Sequence, residues 1–384
     1  MATPVYFDHN ATTPLDEAVT AAMLPYLREQ YGNPSSAHAA GRAARAAIDR
    51  AREQVAALVN AQPSQVVFTS GGTEANNQAL KGVAATLRAG EIAVSAIEHS
   101  SVLAPARVLE RDGWRMRVIA VDGEGRVTPE TVEEAIRADT RLISVMSANN
   151  ETGVIQPIEA VVRRAKADGI VFHTDAIQAA GKMPLDFAAS GAQLMSLSAH
   201  KIGGPKGVGA LIIDSGVDVS PLLDGGGHER GRRSGTENVA GIVGFGAAAE
   251  RAAAGIAARG AYLGRLRDRL ETRLLAMPGI TLFAPGAERL PNTVFFGAAG
   301  IDGGTLVLLL DQAGFAVSSG SACGSGRAEP SHVLLAMGVD RDRAYGAVRV
   351  SLGTGNTSDE IDAFADTLEG LLATVGSGKL MAAG

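Results

Sequence analysis

Hydrophobic residues recur at two different spacings along the first part of the chain. Between Gly41 and Asn60 they recur at helical spacing, whereas Val66–Thr69 is a short β-branched and aromatic run typical of a strand. Similar strand patterns recur at Ile92–Ala96, Met116–Val121, Leu142–Met146, Ile170–His173, Leu194–Leu197 and Val208–Ile213. Helical patterns separate many of them, near Ser101–Glu110, Pro129–Ala138 and Pro157–Asp168. This alternation predicts an α/β fold with a mostly parallel sheet and helices on its faces.

The pattern changes in the last third of the chain. An Ala-rich helix is predicted from Gly241 to about Met277, and a final helix from Ser358. Between them lie strand patterns at Thr281–Phe283, Thr293–Phe296 and Val348–Leu352, with a helix near Thr305–Gln312. We therefore expect a large domain at residues 16–256, and a smaller α+β domain formed by residues 1–15 together with residues 257–384.

Composition narrows the class of protein. Hydrophobic residues make up 46% of the 384 positions and charged residues 20%, which supports a large buried core. The net charge of −6, without a Lys/Arg cluster, argues against nucleic-acid binding. The sequence shows neither a signal-peptide pattern nor an apolar run of the length that a membrane helix needs. We expect a cytoplasmic protein with no nucleic-acid or membrane partner.

Polar or Gly-rich segments follow several of the predicted strands. Because ligands bind at the carboxyl ends of strands in parallel sheets, these segments are expected to converge on one site. They are Ser70–Glu74, Glu98–Ser100, Ala148–Gly153, Thr174–Gln178 and Ser198–Lys201.

The segments after the later strands suggest a cofactor site. Lys201 at a strand end would have a lowered pKa and form a Schiff base, although most lysines are solvated surface charges. Ser198 and His200 flank it with donors suited to a phosphate. Asp175 would keep a pyridine nitrogen protonated, or else merely cap the next segment. Gln178 would donate to a ring hydroxyl.

The earlier segments suggest how the rest of such a cofactor would be held. Gly72 and Thr73 lie in a strand-to-helix turn whose backbone N–H groups suit an anion, although a tight turn with an ordinary cap has the same pattern. The turn lacks the spacing and the lysine of a P-loop. His99 would stack on an aromatic cofactor and shuttle protons, or serve as a hydrogen-bonded structural residue.

Two further residues suggest a substrate and a nucleophile. Cys323 is the only cysteine, which excludes an intrachain disulfide and a multi-Cys metal site. Its Ser/Gly-rich surroundings favour an accessible thiol over a small buried hydrophobe. Arg349 lies inside an apolar strand, where it needs an anionic partner such as a substrate carboxylate. The Gly-rich segment 224–236 lacks metal-ligand spacing and is also typical of a mobile surface loop.

Taken together, these segments resemble the cysteine desulfurases of the NifS/IscS type, class V aminotransferase-like enzymes that depend on pyridoxal 5′-phosphate (PLP). The resemblance implies the fold type I of PLP-dependent transferases, with a mostly parallel seven-stranded sheet in the large domain. The motifs that carry it run in order along nearly the whole chain. They are Asp8–Pro14 (DHNATTP), Gly32–Ser36 (GNPSS), Thr69–Asn76 (TSGGTEAN), Asn149–Gly153 (NNETG), Asp175–Gly181 (DAIQAAG), Ser198–Gly207 (SAHKIGGPKG), Gly225–Thr236 (GGGHERGRRSGT), Ser318–Cys323 (SSGSAC) and Arg349–Gly353 (RVSLG).

The same resemblance implies a role for each site residue. Lys201 would bind the cofactor covalently, His99 would stack on its ring, and Asp175 would pair with its nitrogen. Gln178 and Asn150 would contact the ring oxygen or the substrate. The phosphate would be bound by Gly72, Thr73, Ser198 and His200, and by Thr236 of a neighbouring subunit, which implies a homodimer.

The implied reaction converts L-cysteine to L-alanine. Arg349 would hold the substrate carboxylate, and Cys323 would accept the sulfur as a persulfide for delivery to an acceptor protein such as an iron–sulfur scaffold. No resident metal is implied, although Cys323 could ligate an iron–sulfur cluster transiently. Another PLP enzyme of this fold, such as a selenocysteine lyase, an aminotransferase or a kynureninase-like hydrolase, stays an alternative. A non-catalytic relative that binds a partner is the alternative from another class.

Overall fold

The computed structural model describes residues 4–320 and 329–376. Its strands are β1 Val5–Tyr6, β2 Val66–Thr69, β3 Glu91–Ser95, β4 Arg115–Ile119, β5 Thr140–Ser144, β6 Val171–Asp175, β7 Leu194–Ser198, β8 Gly209–Ile213, β9 Ile280–Leu282, β10 Thr293–Ala298, β11 Phe315–Ala316, β12 Ser318–Ser319 and β13 Ala347–Ser351. Its α-helices are α1 Glu17–Arg28, α2 Ala39–Leu58, α3 Gly72–Asn77, α4 Ser100–Val108, α5 Pro129–Ala135, α6 Ile158–Ala167, α7 Phe187–Ser190, α8 Val239–Ala254, α9 Ile256–Leu275, α10 Gly303–Gln312, α11 His332–Ala336, α12 Arg341–Tyr345 and α13 Ser358–Gly376.

The central sheet is built from the strands predicted between residues 66 and 213. Its seven strands lie in the order β2-β8-β7-β6-β5-β3-β4. Only β8 is antiparallel to its neighbours, β2 and β7. The strands from β5 to β8 are almost wholly buried, because helices cover both faces of the sheet. The predicted fold class, α/β with a mostly parallel seven-stranded sheet, is confirmed.

A second core forms around the antiparallel sheet β12-β13-β10-β9. Leucines of α9 and apolar residues of α13 pack into it. The N-terminal strand β1 pairs in parallel with β11, and the rings of Phe7, Phe315 and Phe364 pack together beside it. Residues near the N-terminus therefore pack against the last third of the chain. The domain boundaries at residues 16 and 256 stay a prediction.

The continuous helix predicted from Gly241 to Met277 is wrong. It is divided into α8 and α9, whose axes are bent by 74°. Gly255 separates them with φ −127° and ψ 13°, outside the helical region. Alanine-rich sequence on both sides extends the helical pattern across this glycine, but the halves pack in different places: α8 lies against α1 and α2, and α9 against α13.

The helices were compared with the length and apolar composition that a membrane-spanning segment needs. In the described ranges, no single helix has both the length and the apolar character to cross a membrane. Only α8 and α9 taken together pass by length and composition.

Candidate active site

A cavity of about 400 Å³ opens where strands β6 and β7 end. The side chains predicted for the cofactor and the substrate line it. They are Gly72, Thr73, His99, Asn150, Asp175, Gln178, Ser198, His200, Lys201 and Arg349, joined by Asn10, Ala11, Ser101, Met146 and Ile177. The convergence predicted from the strand ends is therefore present in the structure.

Lys201 ends a short 3₁₀ turn that follows β7. Its Nζ donates to the carbonyl oxygen of Asn10, and to that of Ala11 at 2.8 Å. Burial, with the nearby charge of Arg349, lowers the pKa of Lys201 to about 8. An amine with such a pKa is partly neutral near physiological pH, which is the form that attacks a carbonyl carbon.

Asp175 ends β6 and is held by two donors. Its Oδ2 accepts from Asn76 Nδ2 at 2.7 Å, and its Oδ1 accepts from the backbone N–H of Ile177 at 2.9 Å. Burial raises the pKa of Asp175, so a cationic partner in the cavity would be needed to favour its ionised form. Sequence reasoning gave Asn76 no role, although it lies one helical turn beyond Gly72 on the face that looks toward the site.

His99 is the N-cap of α4. Its Nδ1 lies 2.8 Å from Ser101 Oγ and accepts from the backbone N–H of Ser101 at 3.1 Å. Burial lowers the pKa of His99, so the imidazole is neutral at neutral pH. A neutral ring lining the cavity suits stacking on an aromatic cofactor.

The start of α3 and the end of β7 form one wall of the cavity. A Cβ at Gly72 would lie 2.1 Å from Cδ1 of Ile177, so any larger residue here would force that side chain to move. Ser198 Oγ is buried and has no hydrogen-bond partner within the described residues. A buried hydroxyl without a partner fits a ligand with acceptor oxygens. The residues present therefore fit PLP, whose phosphate Gly72, Thr73 and Ser198 would bind.

Arg349 lies on β13 and reaches the same cavity. Its Nη2 donates to Asp8 Oδ1 at 2.7 Å, and its Nη1 donates to the carbonyl oxygen of Asn150 at 3.0 Å. The buried Nε has no partner in the part of the chain that the structure describes. The arginine thus has an acidic partner that sequence reasoning missed, although Asp8 begins the DHNATTP motif.

Asn10 is the second residue of that motif to which the sequence gave no role. It is 1% exposed. Its Nδ2 donates to Thr293 Oγ1 at 2.9 Å, and its backbone N–H donates to Ser351 Oγ at 2.9 Å. The only signal in the sequence is the motif itself, because these partners are distant along the chain.

Thr236 is exposed and does not line the cavity of its own chain. The segment before it is held by two ion pairs. Glu229 accepts both Nη groups of the buried Arg52 at 2.7 and 2.8 Å, and the guanidinium of Arg233 contacts Glu74 with its Nε at 2.9 Å. Glu229 also accepts from the backbone N–H of Phe68 on the edge strand β2 at 2.9 Å. The Gly-rich segment is therefore anchored on the edge of the central sheet and, through Glu74, beside Thr73.

Cys323 lies outside the residues that the structure describes, so its predicted roles as nucleophile and transient cluster ligand stay predictions. Among the described residues, no three His, Cys, Asp or Glu side chains are grouped as a metal site requires.

Comparison with known proteins identifies the family of this chain. The model of class-V aminotransferases matches residues 5–364. The chain belongs to the class-V aminotransferase family. Class-V relatives named cysteine desulfurase IscS include one from Dictyoglomus turgidum, 44% identical over 97% of this chain and 95% of that protein. Another, from Methanosarcina thermophila, is 47% identical over 93% and 89%.

Solved structures share this fold. A NifS-like protein matches with a TM-score of 0.91 and 41% identity, over 97% of this chain and 100% of that one. SspA in complex with cysteine matches with a TM-score of 0.81 and 34% identity, over 91% and 98%. The predicted enzyme class, a PLP-dependent cysteine desulfurase, is confirmed, as is the fold type I architecture.

Proposed function

We propose that the chain binds PLP in the cavity at Lys201, releases L-alanine from L-cysteine, and retains the sulfur as a persulfide on Cys323. The observation that carries the proposal is the meeting of Lys201, Asp175 and Arg349 in one cavity of about 400 Å³. A PLP enzyme needs three groups around an amino-acid substrate. Lys201 supplies an amine of lowered pKa, Asp175 a buried carboxylate and Arg349 a buried guanidinium.

The cofactor end of the cavity fixes the ring. When bound, PLP supplies an electron-accepting ring whose protonated nitrogen stabilises negative charge at the substrate's Cα. Asp175 would keep the proton on that nitrogen, and Asn76 and the N–H of Ile177 hold its carboxylate in place. His99, which lines the same cavity, would cover one face of the ring.

Lys201 moves the proton at the reacting carbon. Its Nζ would hold the cofactor and, once substrate is bound, accept the Cα proton as a general base. The pKa of about 8 suits this work, because a fraction of the amine is neutral at neutral pH while the ammonium form remains available to return the proton.

Arg349 orients the substrate. Its guanidinium binds the substrate carboxylate, with the unpartnered Nε offering a donor that Asp8 and Asn150 leave free.

Cys323 accepts the sulfur. Its thiolate forms an S–S bond with the substrate sulfur while the substrate's Cβ–S bond breaks. The electron pair of the broken bond stays with the carbon skeleton, which takes up a proton and leaves as L-alanine. The persulfide then passes to an acceptor protein such as an iron–sulfur scaffold.

The proposed enzyme is a cytoplasmic homodimer. Thr236 is exposed outside its own chain's cavity, which supports donation of its hydroxyl to the phosphate bound by the other subunit.

Release of sulfide and alanine from L-cysteine, in the presence of a thiol reductant, tests the proposal. Wild type is expected to yield the two products in equal amounts. Cys323→Ala is expected to yield neither, while the visible absorption band of bound PLP remains. Products from Cys323→Ala would indicate a lyase without an enzyme persulfide. A wild-type protein that forms no alanine would contradict the proposed reaction.

A further inference from the structure

Asn76 and Ser101 connect the two groups proposed to contact the cofactor ring, His99 and Asp175. Asn76 Nδ2 lies 2.9 Å from Ser101 Oγ and 2.7 Å from Asp175 Oδ2. Ser101 Oγ in turn lies 2.8 Å from His99 Nδ1. Both linking side chains are buried. The four residues therefore form one hydrogen-bonded chain beside the cavity.

A backbone group sets the direction of this chain at its His99 end. The N–H of Ser101 can only donate, and it donates to His99 Nδ1 at 3.1 Å, so this nitrogen carries no hydrogen of its own. Ser101 Oγ lies close to the same nitrogen, and two acceptors at that distance would repel each other unless a hydrogen lay between them. The Ser101 hydroxyl must therefore donate to Nδ1, and the hydrogen of the neutral imidazole lies on Nε2.

The rest of the chain follows from the single hydrogen of the Ser101 hydroxyl. Because that hydrogen is used on His99, the Asn76 atom that faces Ser101 must belong to the NH₂ group and not be the amide oxygen. The second hydrogen of the same NH₂ group is donated to Asp175 Oδ2, so that oxygen must accept. The amide oxygen of Asn76 has no hydrogen-bond partner within the described ranges, so no contact of its own competes with this orientation.

The titratable groups around the chain act on both of its ends. Burial raises the pKa of Asp175, and the charge of Lys201 opposes that rise. Burial also lowers the pKa of His99, with Lys201 adding to the effect and Asp175 opposing it. Glu98 lies near Asp175, and His332 lies near His99. Against this background, a donor at each end of the chain favours a carboxylate at one end and a neutral ring at the other.

We infer that Asn76 and Ser101 are positioning residues, which fix the hydrogens of both ring contacts: Asp175 is held as an acceptor, and His99 is held with its hydrogen on Nε2. The inference rests on the proposed function, in which these two side chains contact the ring of PLP. An ionised Asp175 keeps the ring nitrogen protonated, and a neutral His99 adds no positive charge beside that cation.

NMR of the imidazole nitrogens in PLP-free protein labelled with ¹⁵N-histidine tests the Ser101 link. His99 is assigned by the signal that disappears in His99→Gln, and in wild type its hydrogen is expected on Nε2. In Ser101→Ala, the pH midpoint for protonation of His99 is expected to rise by roughly 0.7 pH unit, because the neutral ring loses one hydrogen bond. Ser358→Ala, an exposed serine at the start of α13, is the matched control and should leave the midpoint unchanged.

The Asn76 link is tested at the other end of the chain, with PLP that carries ¹⁵N in its ring. Asn76→Leu keeps the approximate volume of the side chain but has no N–H group, so the ionised Asp175 loses one donor. The pH at which the ring nitrogen gives up its proton is expected to fall by about one unit, because a hydrogen bond to a charged group is lost. Gln30→Leu replaces an exposed amide and is the control.

The outcomes separate this inference from the proposed function. A wild-type His99 with its hydrogen on Nδ1, or an unshifted midpoint in Ser101→Ala, would overturn the role of Ser101. An unshifted ring nitrogen in Asn76→Leu would overturn the role of Asn76, and Asn76→Ala is measured in the same way if the leucine variant does not fold. A wild-type protein that binds no PLP would remove the proposed function and the Asn76 role with it, whereas the His99 measurement, made without cofactor, would still decide the Ser101 link.

Discussion

The guanidinium Nη2 of Arg349 lies 2.7 Å from Oδ1 of Asp8, so the arginine proposed to bind substrate already has a carboxylate partner. A substrate carboxylate must share the guanidinium with Asp8 or displace it. Asp8→Asn is therefore expected to lower the KM for L-cysteine by roughly fivefold, equivalent to about 1 kcal/mol, because the competing charge is gone. Steady-state kinetics would measure this, with the exposed Asp49→Asn as control. An unchanged KM in Asp8→Asn would contradict competition between Asp8 and the substrate, and a higher KM would show that Asp8 aids binding.

Removal of Arg349 is expected to act in the opposite direction. Arg349→Ala should raise the KM for L-cysteine by about 100-fold, because a charge-assisted hydrogen-bonded pair with the substrate is lost. The visible band of bound PLP should persist, since the proposed cofactor contacts of Lys201 and Asp175 are intact. A normal KM in Arg349→Ala would contradict its role in carboxylate binding.

The lowered pKa of Lys201 predicts how cofactor uptake depends on pH. Only the neutral amine attacks the aldehyde of PLP. With the pKa of Lys201 at about 8, the rate of uptake by PLP-free protein should rise about tenfold per pH unit below 8 and level off above it. The growth of the visible band after mixing measures the rate. A rate that still climbs steeply above pH 9 would indicate a lysine of ordinary pKa, and Lys201→Ala should develop no borohydride-reducible band.

The buried carboxyl group of Glu98 should make the free energy of unfolding depend on pH. Its Oε1 accepts from Ser95 Oγ and from the backbone N–H of Met146, both at 2.6 Å, while its Oε2 has no partner among the described residues. Burial, with the nearby charge of Asp175, raises the pKa of Glu98 from 4.5 to about 8. The folded protein therefore holds a proton that the unfolded chain loses above about pH 4.5, and stability falls as the pH rises from there toward 8.

Glu98→Gln should remove this dependence, because the amide oxygen can accept both hydrogen bonds without ionising. Urea denaturation of PLP-free protein at pH 5 and pH 8 would measure it. The difference in unfolding free energy between the two pH values should shrink in the variant, by at most about 1.4 kcal/mol per pH unit. The exposed Glu110→Gln is the matched control. Parallel pH profiles for wild type and Glu98→Gln would show that Glu98 is ionised in the folded protein.

Loss of the ion pair between Arg233 and Glu74 should weaken the affinity of the protein for PLP. Glu74 follows Thr73 in the turn proposed for the phosphate, and it also accepts from the backbone N–H of Ser70 at 2.8 Å. Arg233→Met should loosen that turn and weaken PLP binding about tenfold, or about 1.4 kcal/mol. Equilibrium titration of PLP-free protein would measure the affinity, with the exposed Arg111→Met for comparison. Wild-type affinity in Arg233→Met would mean that the turn holds its shape alone.

The sequence predicted the parts of the site that depend on neighbouring strands. His99, Asp175 and Lys201 each follow a strand of one parallel sheet, and parallel strands bring their carboxyl ends to the same edge. The periodicity of each strand is local, so it can be recognised without knowing the fold.

Contacts between distant parts of the chain could not be recognised in that way. Asp8 and Arg349 lie 341 positions apart, and Asn10 and Thr293 lie 283 apart. No local pattern pairs them. The break at Gly255 could not be recognised because the local pattern is misleading there: the helical pattern of alanines continues through the glycine. The helix is divided by packing, since α8 and α9 pack against two different cores.

The contacts of Asp8 and Asn10 with β13 also make the substrate end of the cavity a closure between distant parts of the chain. Asn10 donates to Ser351 and Asp8 accepts from Arg349, each across 341 positions. The entropy lost on closing so long a loop opposes the formation of this end of the cavity, whereas the strands that carry Asp175 and Lys201 are neighbours in one sheet. Loosening of these long-range contacts would therefore remove the substrate-binding wall before it disturbed the proposed cofactor contacts.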